Sequence, residues 1–248
     1  MSTTDQGSRV AIVTGGSGGI GRASAKRLAE DGYAVVVHYA GNQAAADAAV
    51  DDVIAAGGEG VAIQADVADE NAVEAVFDQA EERFGGVDVV VHTAGRMPLA
   101  PLAELDLNVL DDLHRTNIRG TFVVCQQAVR RLRPGGAILN FSSSVVGLAF
   151  PTYSAYAASK GAVEAMTLIL ARELRGRDIT VNAVAPGPVA TPLFLDGKSQ
   201  EEIDKSASGS PMGRLGTPED IAEVVAFLAG PQGHWINGQV IRANGAVI

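Results

Sequence analysis

Tyr156 and Lys160 are the residues of this chain whose types and spacing point most directly to chemistry. They are four positions apart, so on a helix their side chains share one face. A free tyrosine has a pKa of about 10 and is a poor acid–base catalyst at neutral pH, but a nearby ammonium lowers that pKa. The run Ser142-Ser143-Ser144 comes before the pair, and a serine hydroxyl can hydrogen-bond a carbonyl oxygen on which charge develops. Together these residues indicate acid–base catalysis.

A glycine-rich turn with the sequence TGGSGGIG follows the first apolar segment and precedes an amphipathic one. Glycines allow the backbone to approach a pyrophosphate closely, and the helix that follows offers free N–H groups and the positive end of its dipole. The spacing Gly16-x-Gly18-x-x-Gly21 fits the general dinucleotide pattern, and Gly15-x-x-x-Gly19-x-Gly21 fits a second spacing on the same turn. The turn therefore predicts a dinucleotide site.

The second apolar segment, which lies about twenty residues further on, ends in the sequence HYAGN at positions 38–42. An acid at this place usually binds the 2′-hydroxyl of the adenosine ribose and repels a 2′-phosphate. No acid is present, so the sequence favours NADP(H) and leaves NAD(H) open. Arg22 and the backbone amides near Gly41 and Asn42 are candidates for contacting a phosphate. His38 is either a cofactor contact or a strand residue whose ring is satisfied within the protein.

Short apolar runs alternate with amphipathic stretches along the whole chain, and Gly or Pro marks each helix boundary. We predict strands over 9–14, 34–39, 60–64, 88–92, 137–141, 179–185 and near 239–242, and helices over 20–31, 42–56, 70–84, 110–132, 154–174 and 219–228. This alternation indicates βαβ units, and right-handed crossovers place helices on both faces of a parallel sheet. The predicted fold class is α/β, a single Rossmann-type doubly wound parallel sheet forming one domain over residues 1–248.

The least regular segment is 186–218, which we interpret as a substrate lid; the alternative is a surface excursion with a short helix at 201–206. We expect the substrate pocket to lie in segments 148–152 and 189–213.

Composition and charge exclude several classes of protein. The net charge is −10 with no long basic run, so a nucleic-acid partner is not expected. The single cysteine, Cys125, rules out an internal disulfide framework, and its apolar surroundings predict a buried structural thiol. No apolar stretch reaches the ~20 residues of a membrane span, and the polar residues 1–8 contain no signal segment. We therefore expect a cytoplasmic protein without membrane contact, and we predict no metal site.

Together these motifs closely resemble the short-chain dehydrogenase/reductase family over nearly the whole chain. The family's phosphate motif Thr-Gly-x-x-x-Gly-x-Gly matches residues 14–21, and its adenine-contacting Asp before a small apolar residue matches Asp66-Val67. Its Pro-Gly after the sixth strand matches Pro186-Gly187, and the Thr that follows matches Thr191. In relatives these last residues contact the nicotinamide end of the cofactor.

One family motif is altered. Asn-Asn-Ala-Gly after the fourth strand appears as His92-Thr93-Ala94-Gly95. The resemblance implies that Ala94 and Gly95 keep the close approach to the cofactor, and that His92 replaces the structural hydrogen bond of the first Asn.

The resemblance also assigns roles to the reactive residues. Tyr156 donates a proton to the substrate carbonyl while hydride leaves the nicotinamide. Lys160 binds the nicotinamide ribose and lowers the pKa of Tyr156, and Asn117 resembles the residue that holds a water in the proton relay. The family serine lies thirteen positions before the tyrosine, which selects Ser143, whereas alignment on the following Val-Val-Gly would select Ser144. We prefer Ser143 because its distance from Asn140 also fits.

The cofactor-binding residues predicted from these motifs are Gly15, Ser17, Gly19, Ile20, Gly21, Tyr39, Asn42, Asp66, Val67, Ala94, Gly95, Tyr156, Lys160, Pro186, Gly187, Val189 and Thr191.

The implied function is an NAD(P)(H)-dependent oxidoreductase that interconverts a carbonyl and an alcohol. The members it resembles most are 3-oxoacyl-acyl-carrier-protein reductases, which implies an NADPH-dependent reductase of a 3-oxoacyl thioester or similar ketone. An acyl-carrier protein is acidic, so its reductase should present a basic patch. Arg130, Arg131 and Arg133 form one basic cluster, which is equally typical of a solvated helix end.

Three alternative functions remain. The first is a small-molecule carbonyl reductase or alcohol dehydrogenase of other specificity. The second is a catalytically silent nucleotide-binding protein, which would lack Tyr156, Lys160 or the serine. The third is an epimerase or dehydratase, which would usually carry a longer C-terminal substrate domain.

The resemblance further implies a homotetramer. Helices 110–132 and 154–174 of two subunits would form a four-helix interface, since both helices carry apolar residues on several faces. The C-terminal strand and tail, residues 239–248, would form a second two-fold contact.

Overall fold

The computed structural model of the protein describes residues 8–248. The expectation that the chain begins without a signal segment concerns residues that lie almost wholly outside this range. Within it, seven strands form one parallel sheet in the order β3-β2-β1-β4-β5-β6-β7. The strands are β1 Val10–Thr14, β2 Ala34–Tyr39, β3 Gly60–Gln64, β4 Val87–His92, β5 Leu132–Phe141, β6 Thr180–Pro186 and β7 Val240–Ala243. The predicted α/β fold is confirmed.

Helices connect the strands and cover both faces of the sheet. They are α1 Gly19–Glu30, α2 Gln43–Ala55, α3 Glu70–Phe84, α4 Leu107–His114, α5 Gly120–Arg131, α6 Val145–Leu148, α7 Ser154–Glu173, α8 Pro192–Leu195, α9 Gln200–Ser208 and α10 Pro218–Ala229. The strand order reverses between β1 and β4, and an open parallel sheet binds its ligand at the carboxyl ends of the strands beside such a reversal. No helix in residues 8–248 is long and apolar enough to span a bilayer.

The core has two layers, because successive side chains of each strand point to opposite faces of the sheet. Ala11 and Val13 of β1 pack in one layer with Leu28 of α1, whereas Ile12 packs in the other layer with Phe77 of α3. Helices α1, α2 and α10 bury residues in the first layer, and α3, α5 and α7 bury residues in the second. Both faces of the central strands are therefore dry, which explains their continuous apolar runs.

The structure corrects two predicted boundaries. The predicted helix 110–132 begins earlier, at Leu107, and is interrupted by one π-helical turn, Arg115–Arg119, between α4 and α5. The predicted strand 137–141 begins earlier, at Leu132, and its register with β4 shifts between Val87 and Val89.

The segment 186–218 is more regular than expected. It contains α8 and α9, and Ser199 and Glu202 form a capping box at the start of α9. This extends the helix predicted at 201–206 by a residue or two at each end.

Candidate active site

A cleft of about 380 Å³ opens at the carboxyl ends of the central strands. The glycine-rich turn after β1 forms one wall, the loop after β4 and the serine run after β5 form the floor, and the segment after β6 forms the other wall. The predicted site residues that line it are Gly15, Gly19, Ile20, Gly21, Ala94, Gly95, Ser143, Tyr156, Lys160, Pro186, Gly187, Val189 and Thr191.

The glycine-rich turn has a backbone that other residues do not readily adopt. Gly15 has φ of +67° and Gly19 has φ of +50°, both in the left-handed region that favours glycine. A Cβ on Gly21 would overlap the carbonyl oxygen of Gly15. The turn thus forms a cradle without side chains at the start of α1, which fits the pyrophosphate of a dinucleotide.

His38 is hydrogen-bonded to this turn. Its Nδ1 accepts a hydrogen bond from the Gly15 N–H at 3.3 Å, and its Nε2 lies 3.0 Å from the carbonyl oxygen of Ala65. Burial lowers the pKa of His38 to about 4, so the ring is neutral and carries its proton on Nε2. Both ring nitrogens are used within the protein, which favours the structural interpretation of His38 over a cofactor contact.

Tyr156 and Lys160 share one face of α7 at the floor of the cleft, as their spacing predicts. The Lys160 Nζ lies 5.7 Å from the centre of the Tyr156 ring and donates to the Phe141 carbonyl at 2.8 Å. Burial raises the pKa of Tyr156 to about 12, and the nearby Ser143 hydroxyl opposes that rise. Burial lowers the pKa of Lys160 to about 8. Burial is the largest influence on the pKa of Tyr156, and the lowering expected from Lys160 stays a prediction.

The three serines after β5 have different partners. Ser142 Oγ donates to Glu164 Oε1 at 2.6 Å. Ser144 Oγ donates to the Ala185 carbonyl at 3.3 Å and accepts from Asn244 Nδ2 at 2.9 Å. Ser143 Oγ accepts from the Val145 N–H at 3.3 Å and, within residues 8–248, has no side-chain partner of the kind that holds Ser142 and Ser144, which favours it over Ser144 as the serine available to a substrate.

Asn117 lies in the π turn and is almost completely buried. Its side chain donates to the Arg96 carbonyl at 2.9 Å and to Ser159 Oγ at 3.1 Å, and it accepts from the Arg96 N–H at 2.9 Å. A Cβ built on Gly95 would lie 3.3 Å from Asn117 Oδ1 and 3.7 Å from Lys160 Nζ. The fold therefore brings Asn117 to the same end of the cleft as Lys160. Turns of π-helix are frequent at functional sites.

His92 is hydrogen-bonded at both ring nitrogens. Its Nδ1 lies 2.8 Å from Thr14 Oγ1 on the neighbouring strand, and its Nε2 lies 3.1 Å from Thr121 Oγ1 on α5. Burial lowers the pKa of His92 to about 3, so the ring is neutral. Strand β4 is thus held to β1 and α5 at the edge of the cleft.

Five predicted cofactor-binding residues lie outside the lining of this cleft: Ser17, Tyr39, Asn42, Asp66 and Val67. Ser17, Tyr39 and Val67 are partly or fully buried. Asn42 caps α2 by accepting from the Ala45 N–H at 3.0 Å. Asp66 accepts from the Ala68 N–H at 2.9 Å and forms an ion pair with Arg115.

The sequence pattern gave no sign of the Asp66–Arg115 pair, because Arg115 belongs to the π turn. Arg22, the candidate phosphate contact, is ion-paired with Asp52 at 2.6 Å. That ion pair occupies the guanidinium and does not support the expected phosphate contact.

The substrate half of the cleft is apolar and aromatic. Its lining includes Met97, Phe150, Tyr153, Leu193 and Phe194, mostly from the segments expected to form the pocket. Sequence reasoning missed Met97 and its neighbour Arg96, although both directly follow the predicted cofactor contact Gly95.

Arg96 lies in the lining, and its guanidinium is 3.6 Å from the Asp112 carboxylate. Besides this ion-paired guanidinium, the substrate half offers apolar contact and the hydroxyls of Ser143 and Tyr156.

Known proteins share both the sequence and the fold. A family model described as enoyl-(acyl carrier protein) reductase matches residues 15–246. A short-chain type dehydrogenase/reductase of Picea abies is 45% identical, over 98% of this chain and 93% of its own. An NADPH-dependent aldehyde reductase-like chloroplastic protein of Arabidopsis thaliana is 41% identical, over 97% and 94%. A 3-oxoacyl-[acyl-carrier-protein] reductase of Staphylococcus aureus is 41% identical, over 96% and 97%.

A solved structure extends the match to three dimensions. The short chain dehydrogenase of Burkholderia cenocepacia J2315, in complex with NADP, is 39% identical with a TM-score of 0.91 and covers 98% of both chains. The site geometry agrees with these comparisons: the family model matches most of the chain, the relatives are similar in sequence, and the fold is superposable. The chain belongs to the short-chain dehydrogenase/reductase family and is an NAD(P)-dependent oxidoreductase.

Proposed function

We propose that the protein uses NADPH to reduce the carbonyl group of a small apolar aldehyde or ketone. The observation that carries this proposal is the position of Tyr156 and Ser143. Their hydroxyls lie at the floor of a cleft whose substrate half is lined mainly by apolar and aromatic side chains. Such a cleft offers a carbonyl oxygen two hydrogen-bonding groups and offers the rest of the substrate apolar contact.

In this proposal the chain orients the carbonyl and supplies the proton. The nicotinamide, when bound, supplies the hydride. Ser143 hydrogen-bonds the carbonyl oxygen, and Tyr156 donates a proton to it. Because the pKa of Tyr156 is raised to about 12, its hydroxyl is protonated at neutral pH and is ready to donate. Lys160, with a pKa of about 8, and Asn117 lie at the same end of the cleft and return a proton to the tyrosine.

Glycines would hold the cofactor along one wall. Gly15, Gly19 and Gly21 form the pyrophosphate cradle, and Pro186, Gly187, Val189 and Thr191 face it from the segment after β6. Asp66 and Val67 would contact the adenine. In the segment 186–218, helices α8 and α9 form a lid that we propose closes over bound substrate.

NADPH is the proposed cofactor because residues 38–42, at the end of β2, contain no acid to repel a 2′-phosphate. The name of the Arabidopsis relative and the NADP complex of the Burkholderia structure support the same choice.

An acyl-carrier-protein substrate is the second candidate, and the Staphylococcus relative and the family description favour it. The basic cluster gives it little support. Arg131 is ion-paired with Asp78 and Glu81, and Arg133 is ion-paired with Asp88. These carboxylates neutralise two of the three positive charges that an acidic partner would need. A small-molecule substrate therefore fits the surface better.

We also propose a homotetramer in the cytoplasm. On α5 and α7, Phe122 is 55% exposed and Ile169 is 57% exposed, which is a high exposure for large apolar side chains in the proposed four-helix interface. Val240 of β7 and Ile248 of the tail are each 38% exposed at the second proposed contact.

The test is a panel of aldehydes, ketones, 3-oxoacyl thioesters and alcohols, run with NADPH and NADH in parallel. Tyr156→Phe should lower kcat by about 10²- to 10⁴-fold and leave NADPH binding nearly unchanged, because it removes only the transferable proton. Tyr33→Phe is a matched control, because it removes a buried hydroxyl that donates to the Ala229 carbonyl away from the cleft. Retention of more than about a tenth of kcat in Tyr156→Phe would refute the assignment.

A further inference from the structure

A continuous path of hydrogen bonds crosses the protein beneath the cleft, with His92 at its centre. The Ala94 N–H donates to Thr14 Oγ1 at 3.3 Å, and Thr14 Oγ1 lies 2.8 Å from His92 Nδ1. On the other side of the ring, His92 Nε2 lies 3.1 Å from Thr121 Oγ1, which donates to the Asn117 carbonyl at 2.6 Å. The path uses the side chains of Thr14, His92 and Thr121 and the backbone carbonyl of Asn117, and these four residues are at most 3% exposed.

Only one arrangement of protons satisfies the whole path. The Asn117 carbonyl only accepts, so the Thr121 hydroxyl uses its hydrogen there and must accept from the N–H at His92 Nε2. The neutral ring then accepts at Nδ1 from the Thr14 hydroxyl, whose oxygen is left to accept from the Ala94 N–H. Each donor meets an acceptor, and the tautomer follows from the network.

The path is a closed hydrogen-bond network, because its two ends meet again in the loop after β4. Arg96, two residues after Ala94, donates its N–H to Asn117 Oδ1 at 2.9 Å. The loop of residues 94–96 is therefore held to Asn117 directly, and also through His92. Its middle residue, Gly95, lies next to Asn117 Oδ1 and Lys160 Nζ, so a shift of this loop alters the space between the groups proposed to return the proton.

We propose that His92 is a positioning residue for carbonyl reduction. It does not touch the reacting atoms. It fixes the position of the loop of residues 94–96 relative to the π turn at Asn117, through a hydrogen bond to Thr14 on one side and to Thr121 on the other. The proposal rests on the proposed function for its catalytic part. Misplacement of reacting groups by about 1 Å can cost about 100-fold in rate, so loosening this network should lower kcat.

The kinetic test removes one hydrogen bond of this network, the one between His92 and Thr121. Thr121→Val keeps the shape of the buried side chain but loses the hydroxyl. His92→Asn places its amide near the position of Nδ1, so it reaches Thr14 but not Thr121. Both variants should lower kcat by about 10- to 100-fold and raise the Kd for NADPH by a smaller factor, because Ala94 and Gly95 are only two of the predicted cofactor contacts. The double variant should lose no more than either single variant, because both remove the same hydrogen bond. His92→Gln, whose amide reaches the position of Nε2, should retain more activity than His92→Asn.

Thr167→Val is the matched control. Thr167 is also buried on a helix and accepts a hydrogen bond, from Asn140 Nδ2 at 3.1 Å, but it lies outside the network. This variant should keep the wild-type kcat. Equal kcat in Thr121→Val and Thr167→Val would overturn the proposal.

A second measurement needs no substrate. Amide hydrogen exchange followed by mass spectrometry should quicken in Thr121→Val at residues 93–97 as well as in the π turn, and Thr167→Val should change neither segment. Faster exchange confined to the π turn would overturn the proposed coupling. A wild-type protein that reduces no carbonyl of the panel would count against the proposed function, whereas unchanged exchange at residues 93–97 would count against the role of His92.

Discussion

Acid should weaken the fold well before the carboxylates titrate, because His38 and His92 are buried in the neutral form. Burial lowers their pKa values to about 4 and about 3, whereas an unfolded histidine has a pKa of about 6.5. As the pH falls below that value, the unfolded chain binds protons that the folded protein does not bind. The free energy of unfolding must therefore fall with pH throughout the window between about 6.5 and the folded values.

The magnitude follows from the difference in proton binding. Between about pH 7.5 and pH 5, an unfolded histidine becomes almost fully protonated while either buried ring stays almost fully neutral. The linkage relation gives a loss of about 2 kcal/mol for each histidine, or about 4 kcal/mol for both. A typical domain has a total of about 5–15 kcal/mol, so this loss should be easy to measure.

Urea unfolding of wild type and His38→Asn at both pH values tests the reasoning. The asparagine can still accept from the Gly15 N–H but does not titrate, so this variant should lose about 2 kcal/mol less than wild type between the two pH values. All samples need one protein concentration, since assembly adds to apparent stability. An equal pH-dependent loss in His38→Asn and wild type would refute the argument.

Three further predictions concern the cofactor, the serine and the assembly. Tyr39→Asp should lower the ratio of kcat/KM with NADPH to that with NADH by at least about tenfold, because a carboxylate there repels the 2′-phosphate; a wild-type preference for NADH would contradict this. Ser143→Ala should lose more kcat than Ser144→Ala, since the Ser144 hydroxyl is already held by the Ala185 carbonyl and Asn244 Nδ2; the reverse order would reassign the role. Light scattering should give four times the 25.5 kDa of one chain; a single-chain mass would exclude the tetramer, and a dimer would leave one interface.

The sequence predicts well those features that depend on local preference. Alternation of apolar runs and amphipathic stretches gave all seven strands and their order along the chain, because β1, β2, β4 and β6 are buried over their whole length and most helices bury one face. The glycine-rich turn was also predictable, since positive φ values at Gly15 and Gly19 require a particular residue type. Asn42, at the predicted start of α2, is indeed its N-cap.

Features that depend on contacts between distant segments were not predictable. The start of β5 at Leu132 depends on pairing with Val87, which is 45 positions earlier, and the local sequence Pro134-Gly135-Gly136 looks like the end of a helix. The state of His38 depends on Gly15 and Ala65, which belong to two other segments. The choice between Ser143 and Ser144 similarly depends on Asn244, from the far end of the chain, which occupies Ser144.

The Tyr156–Lys160 pair illustrates this limit and does not by itself set the direction of the reaction. Spacing on a helix correctly places the two side chains together but does not say which acceptor the ammonium will find. Strand β5 supplies one, the Phe141 carbonyl, and burial raises the pKa of Tyr156 to about 12. A tyrosine in that state is protonated at neutral pH, as an ordinary tyrosine with a pKa of about 10 also is, so its protonation alone does not separate carbonyl reduction from alcohol oxidation. The proposed direction, carbonyl reduction, rests instead on the absence of an acid at the end of β2 and on the NADPH preference inferred from it.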